Sequence, residues 1–185
     1  RTVESGELYR SGQLRGKHLA YVLESKRIRS VINLRGYSKT DTDLDRERNL
    51  SKAMGVKHVD ISMSASRLPE PNELRKLINA FDVLPRPILV HCLGGSDRSG
   101  LASTLYMSIY KRMPLDQAQA SQLTCRYGHI SFGKAHAMDD FFSMYRQTAG
   151  NLSIREWILT RYPKIYLDSI SRKSKRSAPI QPTDH

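Results

Sequence analysis

Apolar positions recur with two different periods through the first 110 residues, and the two periods alternate along the chain. Short apolar runs typical of buried strands lie at residues 29–34 and 87–91, and each borders Gly or Pro. The i, i+3, i+4, i+7 spacing of one helix face is formed by Leu74, Leu77, Ile78 and Phe81. This alternation predicts an α/β fold in which helices cover both faces of a sheet.

The same pattern predicts where most elements lie. Strands are predicted at Glu7–Arg10, Arg29–Leu34, His58–Met63 and Pro87–His91. A helix capped by Thr42 is expected to end at Met54, ahead of Gly55. After residue 110 the chain looks wholly helical, with apolar faces and a capping box in the segments Pro114–Gln122, Met138–Tyr145 and Ser153–Ile158.

Length and composition indicate one domain whose basic residues are either ordinary solvated charges or contacts for an anionic partner. With 185 residues, 39% of them hydrophobic, the chain encloses one ordinary core, predicted over residues 1–170. Residues 171–185 are basic and rich in Ser and Pro, which predicts a flexible tail. The net charge of +12 suits a phosphorylated substrate or an anionic membrane surface, whereas no nucleic-acid motif with stacking aromatics is present.

The chain has neither an apolar run long enough to span a membrane nor a signal sequence at its start. It begins with Arg1 and is already domain-like by residues 8–10, so a preceding segment could have been removed. We therefore expect a periplasmic or membrane-anchored protein if such a segment existed, and a cytoplasmic one otherwise.

The strongest chemical motif is the ten-residue segment His91–Gly100, between a predicted strand and a predicted helix. Cys92 reacts only as a thiolate, and the position before a helix places the positive end of the helix dipole near its sulfur. Backbone amides of the following residues can form a nest that binds both the thiolate and a phosphate dianion. The predicted phosphate-binding residues are Leu93, Gly94, Gly95, Ser96, Asp97 and Arg98.

Other side chains of this segment extend the prediction. Arg98 has the planar fork that binds two phosphate oxygens. Ser99 is expected to donate a hydrogen bond to the Cys92 sulfur, which helps the sulfur to leave the phosphoenzyme. His91 either holds the loop by hydrogen bonding or is an ordinary buried histidine. No metal or other cofactor is expected, because the amides and Arg98 supply the charge stabilisation.

The His-Cys, five residues, Arg-Ser-Gly pattern resembles the protein tyrosine and dual-specificity phosphatase superfamily. Further segments that resemble its bacterial dual-specificity-like branch are Leu8–Gln13, Val31–Gly36 and Arg126–His129. The resemblance covers roughly residues 7–165. It implies a central, mostly parallel sheet of four to five strands flanked by helices, with a phosphocysteine intermediate on Cys92.

The general acid is the weakest part of the pattern. In this superfamily an Asp about thirty residues before the cysteine usually protonates the leaving oxygen. Asp60 lies 32 positions before Cys92 but falls inside a predicted strand, and Glu70 is the acidic residue of the following loop. Asp97 inside the phosphate loop is the third candidate, with the alternative that it merely caps the helix or pairs with a basic group.

Several residues have two interpretations. Arg67 is either a second substrate contact or an exposed arginine. Arg126, Tyr127 and His129 either line the pocket or form an ordinary turn. Cys125 is predicted to be a packed thiol, with a redox partnership to Cys92 as the alternative.

These observations favour a phosphatase for phosphotyrosine or related phosphoproteins, or for small phosphate esters. A phosphoinositide or inositol polyphosphate phosphatase is the second enzyme hypothesis. The absence of Lys and Arg between Cys92 and Arg98 favours monophosphates over highly charged substrates. A phosphate-binding module without catalysis is the non-enzyme alternative, which the presence of both residues disfavours.

Overall fold

One five-stranded sheet forms the centre of the protein. The structure, a computed structural model, describes residues 1–129 and 136–176. Its strands are β1 (Thr2–Glu4), β2 (Leu8–Ser11), β3 (Ser30–Asn33), β4 (Lys57–Asp60) and β5 (Ile88–His91). Their order is β1-β2-β5-β3-β4, and all neighbours are parallel except the antiparallel edge pair β1–β2. The predicted mostly parallel α/β sheet is therefore confirmed.

Helices cover both faces of this sheet, so its central strands are buried on both sides. The helices are α1 (Gly16–Ser25), α2 (Thr42–Ala53), α3 (Pro71–Val83), α4 (Asp97–Tyr110), α5 (Leu115–Gln122), α6 (His136–Thr148), α7 (Ile154–Thr160) and α8 (Tyr162–Arg176). In β5, Leu89 faces the smaller core beneath α1 and α2, whereas Ile88 and Val90 face the larger core beneath the remaining helices.

Aromatic packing in the larger core positions the loop that follows β4. The Phe141 ring lies 5.1 Å from Tyr162 and 5.6 Å from Trp157, and all three side chains are buried. The Tyr162 hydroxyl donates a 2.7 Å hydrogen bond to the Pro69 carbonyl. The helical last third thereby anchors the residue 62–70 loop.

The structure corrects several predicted boundaries. The third predicted strand ends at Asp60 rather than Met63, and Thr42 is the first residue of α2. The cap of α2 is Asp41, whose carboxylate accepts the amides of Asp43 and Leu44. The edge strand β1 was not predicted.

The predicted tail also begins inside a helix, since α8 continues to Arg176. Residues 177–185 lie outside the described residues, so the flexible tail stays a prediction there. In the described ranges, no helix combines the length and apolar character needed to cross a bilayer.

Candidate active site

Cys92 lies where β5 passes into the loop that precedes α4, at the edge where the carboxyl ends of the parallel strands meet. Its side chain is only 2% exposed. The Gly95 amide donates a hydrogen bond to Cys92 Sγ at 3.2 Å, and α4 begins two residues later at Asp97. Because an amide and a helix N-terminus both favour negative charge on the sulfur, this geometry suits a thiolate nucleophile.

Position 95 requires glycine for two reasons, its backbone conformation and its close packing against another backbone segment. Its φ is +78°, and a Cβ there would lie 2.4 Å from the Gly12 amide nitrogen at the end of β2. The Gln13 amide also donates to the Leu93 carbonyl at 3.0 Å. The phosphate loop therefore rests directly on the chain that follows β2, an approach that only glycine permits.

Arg10 on β2 is the main residue of the site whose role the sequence analysis missed. Its side chain is 1% exposed, and its Nη2 donates to the carbonyls of Gly95 and Ser96 at 2.7 and 2.9 Å. Its Nη1 donates to the Gln122 carbonyl at 2.7 Å. By holding these carbonyls, Arg10 fixes the peptide units of the loop, as the predicted nest of amides requires.

Burial lowers the pKa of Arg10 to about 10, although the neighbouring Cys92 and Asp97 act to raise it. Arg10 therefore remains a cation at neutral pH and adds positive charge behind the loop. The sequence signals were the place of Arg10 within the Leu8–Gln13 segment that resembles the family and its position inside a predicted strand.

Arg98 and Ser99 occupy the first turn of α4. The Arg98 guanidinium is half-buried, and its Nη1 donates to the Met63 carbonyl at 3.2 Å. Ser99 is buried, but no hydrogen bond joins its hydroxyl to Cys92 Sγ or to any other group in the described part of the chain. The predicted role of Ser99 as a donor to the sulfur stays a prediction.

His91 belongs to a buried network of three side chains. Its Nε2 lies 2.7 Å from Glu47 Oε1, and the Nε2 of His58 approaches the same oxygen at 2.9 Å. Burial acts to raise the pKa of Glu47, but the hydrogen bonds and charges of the two histidines outweigh it and lower the pKa to about 2. The ionised Glu47 fixes His91, whose Nδ1 lies 3.3 Å from the Cys92 carbonyl. This arrangement supports the loop-holding interpretation of His91.

The candidate acids have different surroundings. Both carboxylate oxygens of Asp60 are engaged, one by Asn33 Nδ2 and one by Arg48 Nη2, each at 2.7 Å. Glu70 is exposed and lines a cavity of about 330 Å³ together with Arg67, which is exposed as well. The hydrogen bonds of Asp60 favour a structural role, since neither of its oxygens is free for a substrate.

Asp97 retains a free oxygen. Its Oδ1 lies 2.7 Å from His129 Nδ1, while Oδ2 forms no hydrogen bond within the described ranges. The side chain is 23% exposed at the start of α4. Asp97 therefore differs from Asp60, because one of its carboxylate oxygens makes no hydrogen bond in the described ranges and its side chain is partly exposed.

Residues 126–129, which follow α5, lie beside the loop that begins at Cys92. This position is compatible with their pocket-lining interpretation. The guanidinium groups of Arg1 and Arg10 both lie over the Tyr127 ring, 4.9 and 4.7 Å from its centre. Arg126 is exposed. Cys125 is exposed rather than packed, which corrects the prediction, and neither it nor Cys92 forms a disulfide.

Comparison with known proteins agrees with this geometry. The model of the tyrosine phosphatase family matches residues 1–120. The chain belongs to this family. No curated protein matches it.

Solved structures of the same fold come from yeast and from bacteria. The core catalytic domain of the PP-IP phosphatase SIW14 from S. cerevisiae is 22% identical, with a TM-score of 0.58, and 96% of this chain and 93% of that one are covered. P. aeruginosa TpbA is 18% identical, with a TM-score of 0.56 and coverage of 75% and 80%. At these identities the likeness shows the fold, and membership of the bacterial branch stays a prediction.

Proposed function

We propose that this phosphatase-family chain hydrolyses phosphate monoesters through a phosphocysteine on Cys92. The observation that carries the proposal is the buried Cys92 sulfur, 3.2 Å from the Gly95 amide at the base of a loop that ends in Arg98. The amides and the Arg98 fork bind the three non-bridging phosphate oxygens and stabilise the charge that spreads over them in the transition state.

The first chemical step forms an S–P bond and breaks the bond between phosphorus and the ester oxygen. The Cys92 thiolate attacks phosphorus, and Asp97 transfers a proton to the departing oxygen, which leaves as an alcohol or a phenol. In the second step water attacks phosphorus and the S–P bond breaks. Asp97 takes the proton of that water, inorganic phosphate leaves, and the thiolate is restored.

Phosphotyrosine and related phosphoproteins are the proposed substrates. The loop residues Leu93–Ser96 carry no basic side chain that could bind further phosphates. TpbA, which has this fold, has been solved in complex with phosphotyrosine. Small phosphate esters fit the same loop.

A second candidate is inositol pyrophosphate or phosphoinositide hydrolysis. It is favoured by the likeness to the PP-IP phosphatase over 96% of the chain and by the net charge of +12. The two candidates share the Cys92 chemistry and differ in the number of phosphates that surround the site.

Turnover of p-nitrophenyl phosphate tests the mechanism. Cys92→Ser is expected to abolish it, while the matched change Cys125→Ser, at the exposed cysteine outside the loop, is expected to leave it unchanged. Trapping of a phosphorylated protein by rapid acid quench, lost in Cys92→Ser, identifies the intermediate. Turnover that persists in Cys92→Ser contradicts the cysteine mechanism, and phosphate binding without turnover in the wild type indicates the binding module instead.

A substrate panel separates the two candidates. We expect kcat/KM to be highest for a phosphotyrosine peptide, lower for a phosphoserine peptide of the same sequence, and lowest for an inositol pyrophosphate. The reverse order would establish the second candidate.

A further inference from the structure

His129 connects the phosphate loop to α6 through two short hydrogen bonds. Its Nδ1 lies 2.7 Å from Asp97 Oδ1, and its Nε2 lies 2.9 Å from Asp139 Oδ2. The His129 side chain is 1% exposed, whereas each of the two carboxylates is about a quarter exposed. A buried ring thus lies between two carboxylates that reach the surface.

The two contacts determine how many protons the trio holds. A carboxylate oxygen only accepts hydrogen bonds unless it is protonated, so each of the two gaps needs one proton. These two protons are compatible with an imidazolium between two carboxylates, or with a neutral ring beside one carboxylic acid. In both arrangements the net charge of Asp97, His129 and Asp139 is −1, and Asp97 Oδ2 stays outside the two gaps.

Neighbouring groups keep Asp139 in place. Gln119 Nε2 donates to Asp139 Oδ1 at 3.0 Å, and Arg146 Nη2 donates to Gln119 Oε1 at 2.6 Å. Arg10 is a neighbouring cation, close enough for Asp97 and Cys92 to act to raise its pKa. The described residues contain no group of three or more His, Cys, Asp or Glu that could hold a metal ion. The hydrogen bonds from Gln119 and Arg146 therefore support the orientation of Asp139.

We propose that His129 is the positioning residue of the general acid, with Asp139 fixing the orientation of its ring. This inference rests on the proposed function, in which Asp97 protonates the leaving oxygen. Before the reaction, a third proton resides on Asp97 Oδ2 and the trio is neutral. As this proton moves to the ester oxygen, the charge that develops on Asp97 is stabilised by the His129 Nδ1 hydrogen. When Asp97 takes a proton from the attacking water, the trio returns to its first state.

Two substitutions of His129 separate its two contacts. The side-chain amide of Asn places its nitrogen near the position of His Nδ1, so His129→Asn keeps a donor for Asp97 and loses the contact with Asp139. The longer Gln side chain places its amide near Nε2, so His129→Gln keeps a partner for Asp139 and loses the donor for Asp97. Since both replace a buried ring with an amide, similar losses of thermal stability are expected.

The readout is the rate with a poor and a good leaving group, phenyl phosphate and p-nitrophenyl phosphate. Loss of a general acid costs roughly 10²–10⁴-fold, and mainly with poor leaving groups. We expect His129→Gln to lose at least about tenfold more kcat on phenyl phosphate than on p-nitrophenyl phosphate, as Asp97→Asn does. In His129→Asn, the ratio of kcat on phenyl phosphate to kcat on p-nitrophenyl phosphate should be closer to that of the wild type.

The positioning role would be overturned if the two His129 variants had the same ratio of kcat on phenyl phosphate to kcat on p-nitrophenyl phosphate. A histidine with a purely structural role would change that ratio in neither variant. An unchanged ratio in Asp97→Asn would overturn the positioning role as well. Asp139→Asn, which leaves His129 in place, provides a second measurement if either histidine variant fails to fold: a preferential loss on phenyl phosphate supports the proposal, and equal losses contradict it. If the wild type hydrolyses neither ester, the proposed function itself fails.

Discussion

Arg10 offers the sharpest test of how the phosphate loop is held. Arg10→Met keeps most of the side-chain volume and removes the donors to the carbonyls of Gly95, Ser96 and Gln122, three bonds of 2.7–2.9 Å. An unsatisfied buried acceptor costs about 1–3 kcal/mol. The Gly95 and Gln122 bonds are fully buried and the Ser96 bond is partly so. Since removal of the guanidinium also relieves its own desolvation, we expect a net loss of about 2–4 kcal/mol in the free energy of unfolding.

The effect on catalysis should exceed the effect on folding. Without Arg10 the loop carbonyls can rotate, and a misplacement of about 1 Å in a catalytic group costs on the order of 10²-fold in rate. We therefore expect kcat/KM for p-nitrophenyl phosphate to fall by about that factor at a temperature where circular dichroism shows a folded protein.

Arg1→Met is the matched control, because Arg1 also lies over the Tyr127 ring, and in the described residues its side chain donates only to the Arg126 carbonyl. It should retain activity. Arg10→Lys, with a cation but no fork, should fall between the wild type and Arg10→Met. The reasoning is refuted if Arg10→Met loses stability as expected but keeps the wild-type kcat/KM and affinity for orthovanadate.

Three further outcomes concern the surroundings of the loop. The pKa of Glu47 falls from 4.5 to about 2 on folding, so its stabilisation is complete above pH 4.5 and is lost as the pH falls toward 2. Urea unfolding should show this contribution, on the order of 2–3 kcal/mol, and Glu47→Gln should abolish that pH dependence. Gly95→Ala should lose both phosphate binding and activity, since its Cβ would lie 2.4 Å from a backbone nitrogen; normal vanadate affinity would contradict this. Asp60→Asn should lower the melting temperature through its lost ion pair with Arg48 and leave the ratio of phenyl to p-nitrophenyl phosphate rates unchanged, a ratio that would shift if Asp60 were the acid.

Local features of the chain were sufficient to predict the reactive loop. The positions of Cys92, Gly95 and Arg98 follow from their order between a buried apolar strand and a helix. Strand and helix periodicity depends on neighbours within a few residues, so the α/β class and most elements were predictable too. The strand boundary at Asp60 was missed because the alternating pattern continues to Met63 after the pairing with β3 has ended.

The supporting residues were decided by tertiary structure. Arg10 reaches Gly95 across 85 positions of sequence, Glu47 reaches His91 across 44, and His129 reaches Asp97 across 32. Burial of these charged side chains is stabilised by such distant partners, and no local pattern encodes those partners. The sequence by itself thus predicted Cys92 as the nucleophile and Arg98 as the phosphate-binding arginine, whereas the folded chain decided how the loop is held and which of Asp60 and Asp97 keeps an oxygen free of hydrogen bonds within the described part of the chain.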